Sequence, residues 1–131
     1  RNGAPLAGTG WQQGARLCGA ATIIAADIVP KKLAWARDFG ATHTVAAQGE
    51  ALTKAVLELT GGIGVDAVIE CSGNGAPQTA VKAVRSGGYI VQTGLHTRPA
   101  SIEPMEFSER EITYTGTWCY PVTDWPRIIE L

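Results

Sequence analysis

Long hydrophobic runs are missing from this sequence: no apolar stretch approaches the roughly 20 residues that a membrane-spanning helix requires, and the first residues carry no apolar core of a secretory leader. Charge of one sign is missing too. Eleven basic and twelve acidic side chains leave a formal net charge of −1, which gives neither a nucleic acid nor an anionic membrane surface anything to hold. Cysteine is scarce. Cys18, Cys71 and Cys119 are three, far apart, and never in a CxxC arrangement, so neither a disulfide framework nor a cysteine metal site is expected. They read as small buried hydrophobes in a reducing cytoplasm. Histidine is scarcer still: His43 and His96 have no cysteine or acid at ligand spacing, and no metal is assigned to this chain.

What is present is a globular composition, 45% hydrophobic and 18% charged over 131 residues, enough for one domain with a core. Two kinds of apolar pattern alternate. Short β-rich runs occur at 22–27 (TIIAAD), 43–47 (HTVAA), 65–71 (VDAVIEC), 89–93 (YIVQT) and 112–118 (ITYTGTW). Between them apolar residues recur at helical spacing: Trp11, Gly14, Ala15 and Cys18; Leu52, Ala55, Val56 and Leu59; Pro77, Ala80, Val81 and Val84.

The punctuation agrees with this division. Pro30 suits the first turn of a helix reaching Phe39, with Gly40 just beyond it. Gly61-Gly62 and Gly87-Gly88 stop the next two helices, and Thr123 or Asp124 caps a last one that carries Trp125, Ile128 and Ile129 inward. Strand and helix alternating at this pace predict βαβ units and a mostly parallel sheet covered on both faces. The unbroken apolar runs TIIAA and DAVIE predict fully buried central strands. The last strand alternates Ile112, Tyr114, Gly116 and Trp118 with Thr113, Thr115 and Thr117, which predicts one face less buried than the other.

In doubly wound sheets ligands lie beyond the carboxyl ends of the strands. The first such end here is Asp27, whose carboxylate can accept both hydroxyls of an adenosine ribose and would repel a 2′-phosphate. A solvated or helix-capping aspartate fits the position equally well. Asp27 lies 24 residues after Gly3 (27 − 3 = 24), near the roughly 20 expected between a dinucleotide glycine loop and its ribose acid. Lys32 is near enough in sequence to serve the same ribose, although a lone lysine on a helix is usually just solvated.

Four stretches, QGARLCGAATIIAADIVPKKLAWARDFGATHTV, LTGGIGVDAVIECSGN, SGGYIVQTGL and GTWCYPVTDWPRIIEL, resemble the coenzyme domain of zinc-type, medium-chain alcohol dehydrogenases. Within that family WCYPVTDW is most similar to the polyol and butanediol dehydrogenase branch. The resemblance runs from about residue 12 to 131. It implies a Rossmann-like doubly wound parallel sheet over residues 1–131, one part of a larger two-domain enzyme that moves hydride between a secondary alcohol or polyol and NAD. Catalytic zinc would come from a substrate domain absent here.

The resemblance also implies site residues. Asp27 matches the ribose acid and Lys32 a ribose-contacting lysine. Cys71, Ser72 and Asn74 fall on the loop along the adenosine; Thr93, Gly94 and Leu95 on the turn beside the nicotinamide; Thr117, Trp118 and Cys119 where backbone groups hold the carboxamide. The glycine loop is altered. Gly3 and Gly8 take the first and third positions of G-x-G-x-x-G, but Pro5 takes the middle one, where proline removes an N–H and fixes φ. A one-residue slip around Pro5-Leu6 leaves another glycine unmatched. Only Arg1 and Asn2 precede the loop, so the fold is expected to lack its first strand. An edge near 112–118 would pair with a second copy, giving a homo-oligomer. A non-enzymatic nucleotide-binding module, or inactive relic, is the alternative reading; an S-adenosylmethionine methyltransferase also places an acid after its second strand, but lacks the later matches.

Overall fold

The computed structural model describes residues 9–73, 77–119 and 122–130. In chain order the elements are α1 (Thr9–Leu17), β1 (Ile24–Ala26), α2 (Pro30–Asp38), β2 (His43–Val45), α3 (Gly49–Leu59), β3 (Val65–Glu70), α4 (Pro77–Ala83), β4 (Val84–Gln92), α5 (Pro104–Arg110), β5 (Thr113–Gly116) and α6 (Trp125–Ile129), the last preceded by a 3₁₀ turn at Val122–Asp124. All three strand pairings are parallel: β1 with β2, β3 with β4, and β4 with β5. This is the α/β alternation that the sequence predicts.

The strands form two sheets, β1-β2 and β3-β4-β5. Among the described residues no strand joins β1 to β3. In a 3-2-1-4-5-6 order the two sheets occupy positions 3-2 and 4-5-6, so the gap falls at the first strand. That gap corrects one expectation. The runs TIIAA and DAVIE are not fully buried: Ala26, Asp66 and Ala67 are exposed, and Val68 and Ile69 only half-buried. Among the described residues each run is paired along one edge alone, and the other edge and part of each face are without cover.

The larger sheet carries the main core. Ala80 and Val81 from α4, Val84 and Ile90 from β4, and Ile112 before β5 pack into one buried cluster, flanked by Val68, Ile102, Phe107 and Tyr114. The rings of Phe107 and Tyr114 meet edge to face at 6.1 Å, a favoured quadrupole geometry. Arg110 closes the bottom of α4: its guanidinium donates to the Val81 carbonyl at 2.8 Å and to that of Val84, while Glu106 pairs with it at 3.2 Å. The Val81 carbonyl belongs to the last turn of α4, which has no further turn to satisfy it, and the Val84 carbonyl to the first residue of β4. The smaller sheet is held under α2 by Ile23, Ala25, Leu33 and Ala36. Thr42 stitches its two strands, accepting from the Ile23 N–H at 2.8 Å and donating to the Ile23 carbonyl at 3.0 Å.

Helix ends fall largely where the sequence marks them. Pro30 opens α2, and Gly40 follows its end with φ 104°. The third marked stop is different. Helix α4 ends at Ala83 and β4 begins at once, so Gly87-Gly88 lie inside the strand. They form an irregularity between the pairs Val65↔Val84 and Ala67↔Tyr89, where Asp66 alone lies opposite the four residues 85–88. Two faces expected to pack inward stay open: Trp125 is exposed and Ile129 is 78% exposed, and Cys18 and Cys119 are exposed while Cys71 is half-buried.

Ile90 is fully buried at the centre of the main cluster, whereas Ile63 is 70% exposed. Ile90→Ala is expected to cost about 2–5 kcal/mol of unfolding free energy, and Ile63→Ala less than about 0.5 kcal/mol. Urea denaturation of the two variants checks this; equal losses would contradict the assignment of the core.

Candidate functional site

Asp27 stands at the carboxyl end of β1. Its backbone N–H donates to the Val45 carbonyl at 3.2 Å, which continues the β1–β2 ladder. Its carboxylate is split between two partners: one oxygen accepts from the Val29 N–H at 2.9 Å, and the other faces Lys32 Nζ at 3.4 Å. The turn into α2 is therefore closed by the aspartate itself, since Pro30 cannot donate. The carboxylate is partly open to solvent and so is Lys32. An ion pair of this kind contributes about 0–1 kcal/mol, so the fold does not depend on it and the carboxylate keeps acceptor capacity toward solvent.

At the ends of β3 and β4 two loops meet backbone to backbone. Thr93 and Gly94 donate their N–H groups to the Glu70 carbonyl at 2.9 and 2.8 Å. A methyl group added at Gly94 would lie 2.3 Å from the Gly73 nitrogen, and one added at Gly73 would lie 2.4 Å from the Leu95 carbonyl oxygen. No side chain fits between them. The structure thus brings Cys71, Ser72 and Gly73 against Thr93, Gly94 and Leu95. Thr117 joins at the end of β5, its N–H donating to the Gln92 carbonyl at 3.0 Å. Trp118 and Cys119 follow in exposed chain, Trp118 at 72%. Gly3, Gly8 and Asn74 lie outside the described residues, as does Pro5.

Beneath these loops runs a side-chain network that sequence reading does not reveal. Glu70, the last residue of β3, is only 10% exposed at its side chain. One carboxylate oxygen accepts from the Ser72 N–H at 2.8 Å and from the Ser72 hydroxyl. The other accepts from Gln92 Nε2 at 2.6 Å and faces His96 Nε2 at 3.3 Å. Gln92 Nε2 also donates to the Gly94 carbonyl at 2.8 Å, and its Oε1 accepts from the Tyr114 hydroxyl at 2.6 Å. That pattern fixes the amide orientation, because nitrogen faces two acceptors and oxygen faces a donor.

Burial alone would push the Glu70 carboxyl up, but the hydrogen bonds from Ser72, Gln92 and His96 outweigh it and hold the carboxyl below its ordinary value of 4.5. Burial, reinforced by the Glu70 charge, pushes the Tyr114 hydroxyl up and keeps it a donor. Burial likewise raises the Cys71 thiol, against a hydrogen bond from Thr93 and with the Glu70 charge adding to it. Cys71 is therefore a neutral thiol, not a nucleophile. His96 was read from the sequence as lacking an acid partner. The structure corrects this: Glu70 is that partner, 26 residues away in sequence. Among the described residues no group of three or more His, Cys, Asp or Glu side chains comes together to hold a metal ion, and no helix is long and apolar enough to cross a membrane.

Parallel strands whose carboxyl ends carry closely packed loops and a ribose-compatible acid define a nucleotide-binding α/β domain. Comparison with known proteins gives the family. Residues 8–131 match the family described as zinc-binding dehydrogenase, and the chain belongs to that family, whose members use NAD(P) and zinc. Sorbitol dehydrogenase 1 of Saccharomyces cerevisiae is 33% identical over 124 residues, which cover 89% of this chain and 35% of that protein. Benzyl alcohol dehydrogenase from Acinetobacter calcoaceticus superposes with a TM-score of 0.83 at 27% identity, over 95% of this chain and 36% of that one. A zinc-binding dehydrogenase structure from Sinorhizobium meliloti 1021, bound to NADP, superposes with a TM-score of 0.76 at 30% identity, over 92% and 36% of the two chains. The chain spans about a third of the length of the curated relatives it matches.

The ionised Glu70 sets an acid limit. Its folded carboxyl titrates below 4.5, so its contribution to stability is complete above that value and is lost as pH falls through the folded pKa. Melting temperature should therefore decline on acidification below about pH 4.5, and Glu70→Gln should decline less over the same range. Thermal melts at stepped pH check the sign; a steeper acid loss in the variant would contradict it.

Proposed function

We propose that this chain is the NAD-binding domain, residues 1–131, of an oxidoreductase that transfers hydride between a secondary alcohol or polyol and NAD. The observation that carries the reading is the placement of acceptor and backbone groups at successive strand ends: Asp27 after β1, residues 71–73 after β3, 93–95 after β4 and 117–119 after β5. A dinucleotide is a long ligand with a diol at one end and an amide-bearing ring at the other, and such a row suits it.

In this reading the Asp27 carboxylate accepts from the two hydroxyls of the adenosine ribose, with Lys32 held beside them. Cys71, Ser72 and Asn74 lie along the adenosine. Thr93, Gly94 and Leu95 present backbone groups beside the nicotinamide, and Thr117, Trp118 and Cys119 hold its carboxamide. Gly3 and Gly8 belong to the pyrophosphate loop. Bound NAD supplies the hydride-accepting ring; this chain orients it and walls one side from water. Catalytic zinc, in this reading, would be held by a substrate-binding domain of the intact enzyme and not by this chain. The kinship with sorbitol dehydrogenase 1 supports a polyol or secondary alcohol as substrate. The cytoplasm is the compartment proposed, and β5, the outer strand of its sheet, is the edge proposed to pair with a second copy.

Cofactor choice tests the role of Asp27. A carboxylate facing a 2′-phosphate is repulsive, and no arginine follows it in IVPKK to offset that. NAD is expected to bind at least about tenfold more tightly than NADP, and Asp27→Ala to erase most of the difference. Fluorescence titration with both reduced cofactors measures it; tighter binding of NADP, the cofactor bound in the Sinorhizobium meliloti structure, would overturn the assignment. The 131-residue chain alone is expected to reduce no NAD with sorbitol, 2,3-butanediol or simple secondary alcohols, with or without zinc. Spectrophotometric assay of NADH formation checks this, and zinc-dependent turnover would contradict it.

A further inference from the structure

Of all the polar groups in the described residues, Glu70 is the one whose single carboxylate reaches both loops of the candidate site. It accepts twice from Ser72 in the loop after β3. It accepts from Gln92 at the end of β4, which in turn holds the Gly94 carbonyl, and it faces His96 beyond the same turn. An ionised carboxylate offers acceptor positions only, so the proton of the His96 contact lies on Nε2. The core cluster does not include any of these groups: it is built from Ala80, Val81, Val84, Ile90 and Ile112.

The same two loops are in contact at a second point, where Gly73 and Gly94 approach too closely for any side chain. With the Thr93 and Gly94 N–H groups on the Glu70 carbonyl and the Thr93 hydroxyl against Cys71 Sγ, these attachments make the loops move as a unit. The glycine contact fixes their separation, and the carboxylate fixes their relative rotation by holding Ser72 on one side and His96 and Gln92 on the other. Tyr114 extends the same constraint to β5 through Gln92 Oε1.

We infer that Glu70 and His96 are positioning residues for the dinucleotide: a carboxylate–imidazole pair that clamps the loop after β4 onto the loop after β3 and so sets the surface on which the cofactor lies. The inference rests on the dinucleotide reading above for its ligand. It assigns neither residue a contact with the reacting atoms.

Glu70→Gln is the informative change. The amide keeps one acceptor oxygen, but its nitrogen must then face either the Ser72 donors or those of Gln92 and His96, a donor against a donor. His96→Ala removes the clamp on one side, and His96→Gln restores a neutral donor on a flexible side chain. On the intact protein, NADH affinity by fluorescence, amide hydrogen exchange and melting temperature at pH 7 are read together. The expected result is an NADH dissociation constant raised about tenfold in Glu70→Gln and His96→Ala, the scale of one hydrogen bond to a charged group. Exchange should quicken at residues 71–73 and 93–96 but not at Ile90 and Val91, and His96→Gln should recover most of the affinity. Faster exchange with unchanged affinity would overturn the role toward the cofactor. Faster exchange confined to the mutated loop, or spread through β4, would overturn the clamp. If the unmodified protein binds neither NADH nor NADPH, the dinucleotide reading fails, and exchange in the partner loop alone decides whether the clamp exists.

Discussion

The contact between Gly73 and Gly94 constrains everything at the carboxyl edge of the larger sheet. Two backbones lie so close that a single added carbon at either would collide with the other loop. Parallel pairing of β3 with β4 brings the loops to that distance, with Glu70 opposite Gln92 in register. The register then dictates the rest. Side chains of paired residues at the same strand end face one another, so Glu70 meets Gln92; Gln92 pairs with Gly116 on the next strand, which has no side chain, and reaches diagonally to the Tyr114 hydroxyl. A charge buried at that point needs several donors to stay ionised, and Ser72, Gln92 and His96 provide them.

Hydrophobic burial and polar satisfaction are divided between the two ends of this sheet. The interior end holds Val81, Val84, Ile90 and Ile112, with Arg110 capping the helix that covers them. The carboxyl end carries almost no apolar burial and is organised by hydrogen bonds. Packing of the first kind stabilises by several kcal/mol per large side chain, whereas a hydrogen bond contributes about 1 kcal/mol net. Stability therefore sits mainly in the core, and the hydrogen-bonded end mainly sets shape. An edge built this way can change its loops without unfolding the sheet.

Much of the fold was legible in the sequence, for physical reasons that particular residues show. Each of the five β-rich runs contains a strand, because Ile, Val, Thr and Tyr cluster there and glycine or proline bounds them. Helix α2 begins at Pro30 as its missing N–H requires. The α4–β4 boundary was misplaced because Val84 satisfies helical spacing and strand pairing alike; its pairing with Val65 decides, and leaves Gly87-Gly88 as a strand irregularity. Burial of TIIAA and DAVIE was over-predicted, since an apolar run shows what a strand could bury, not what lies beside it. Of the candidate site, Asp27 was proposed from its position at a strand end, and Cys71, Ser72, Asn74, Thr93, Gly94 and Leu95 from the family resemblance alone. Glu70, Gln92, His96 and Tyr114 were not, because their contacts span 22 to 26 residues and depend on strand register, which local periodicity does not encode. The sole local signal was Glu70 two residues before Ser72, the spacing of a side-chain-to-backbone turn.

The account stands on a dinucleotide lying across these strand ends. A crystal structure of the intact protein grown with saturating NAD tests that most directly. The ribose diol of the adenosine is expected within hydrogen-bonding distance of the Asp27 carboxylate, with the nicotinamide against the Thr93–Leu95 turn and the Gly73–Gly94 contact unchanged. NAD ordered on another surface, or the turn at 93–96 displaced with Glu70 turned away from His96, would contradict it.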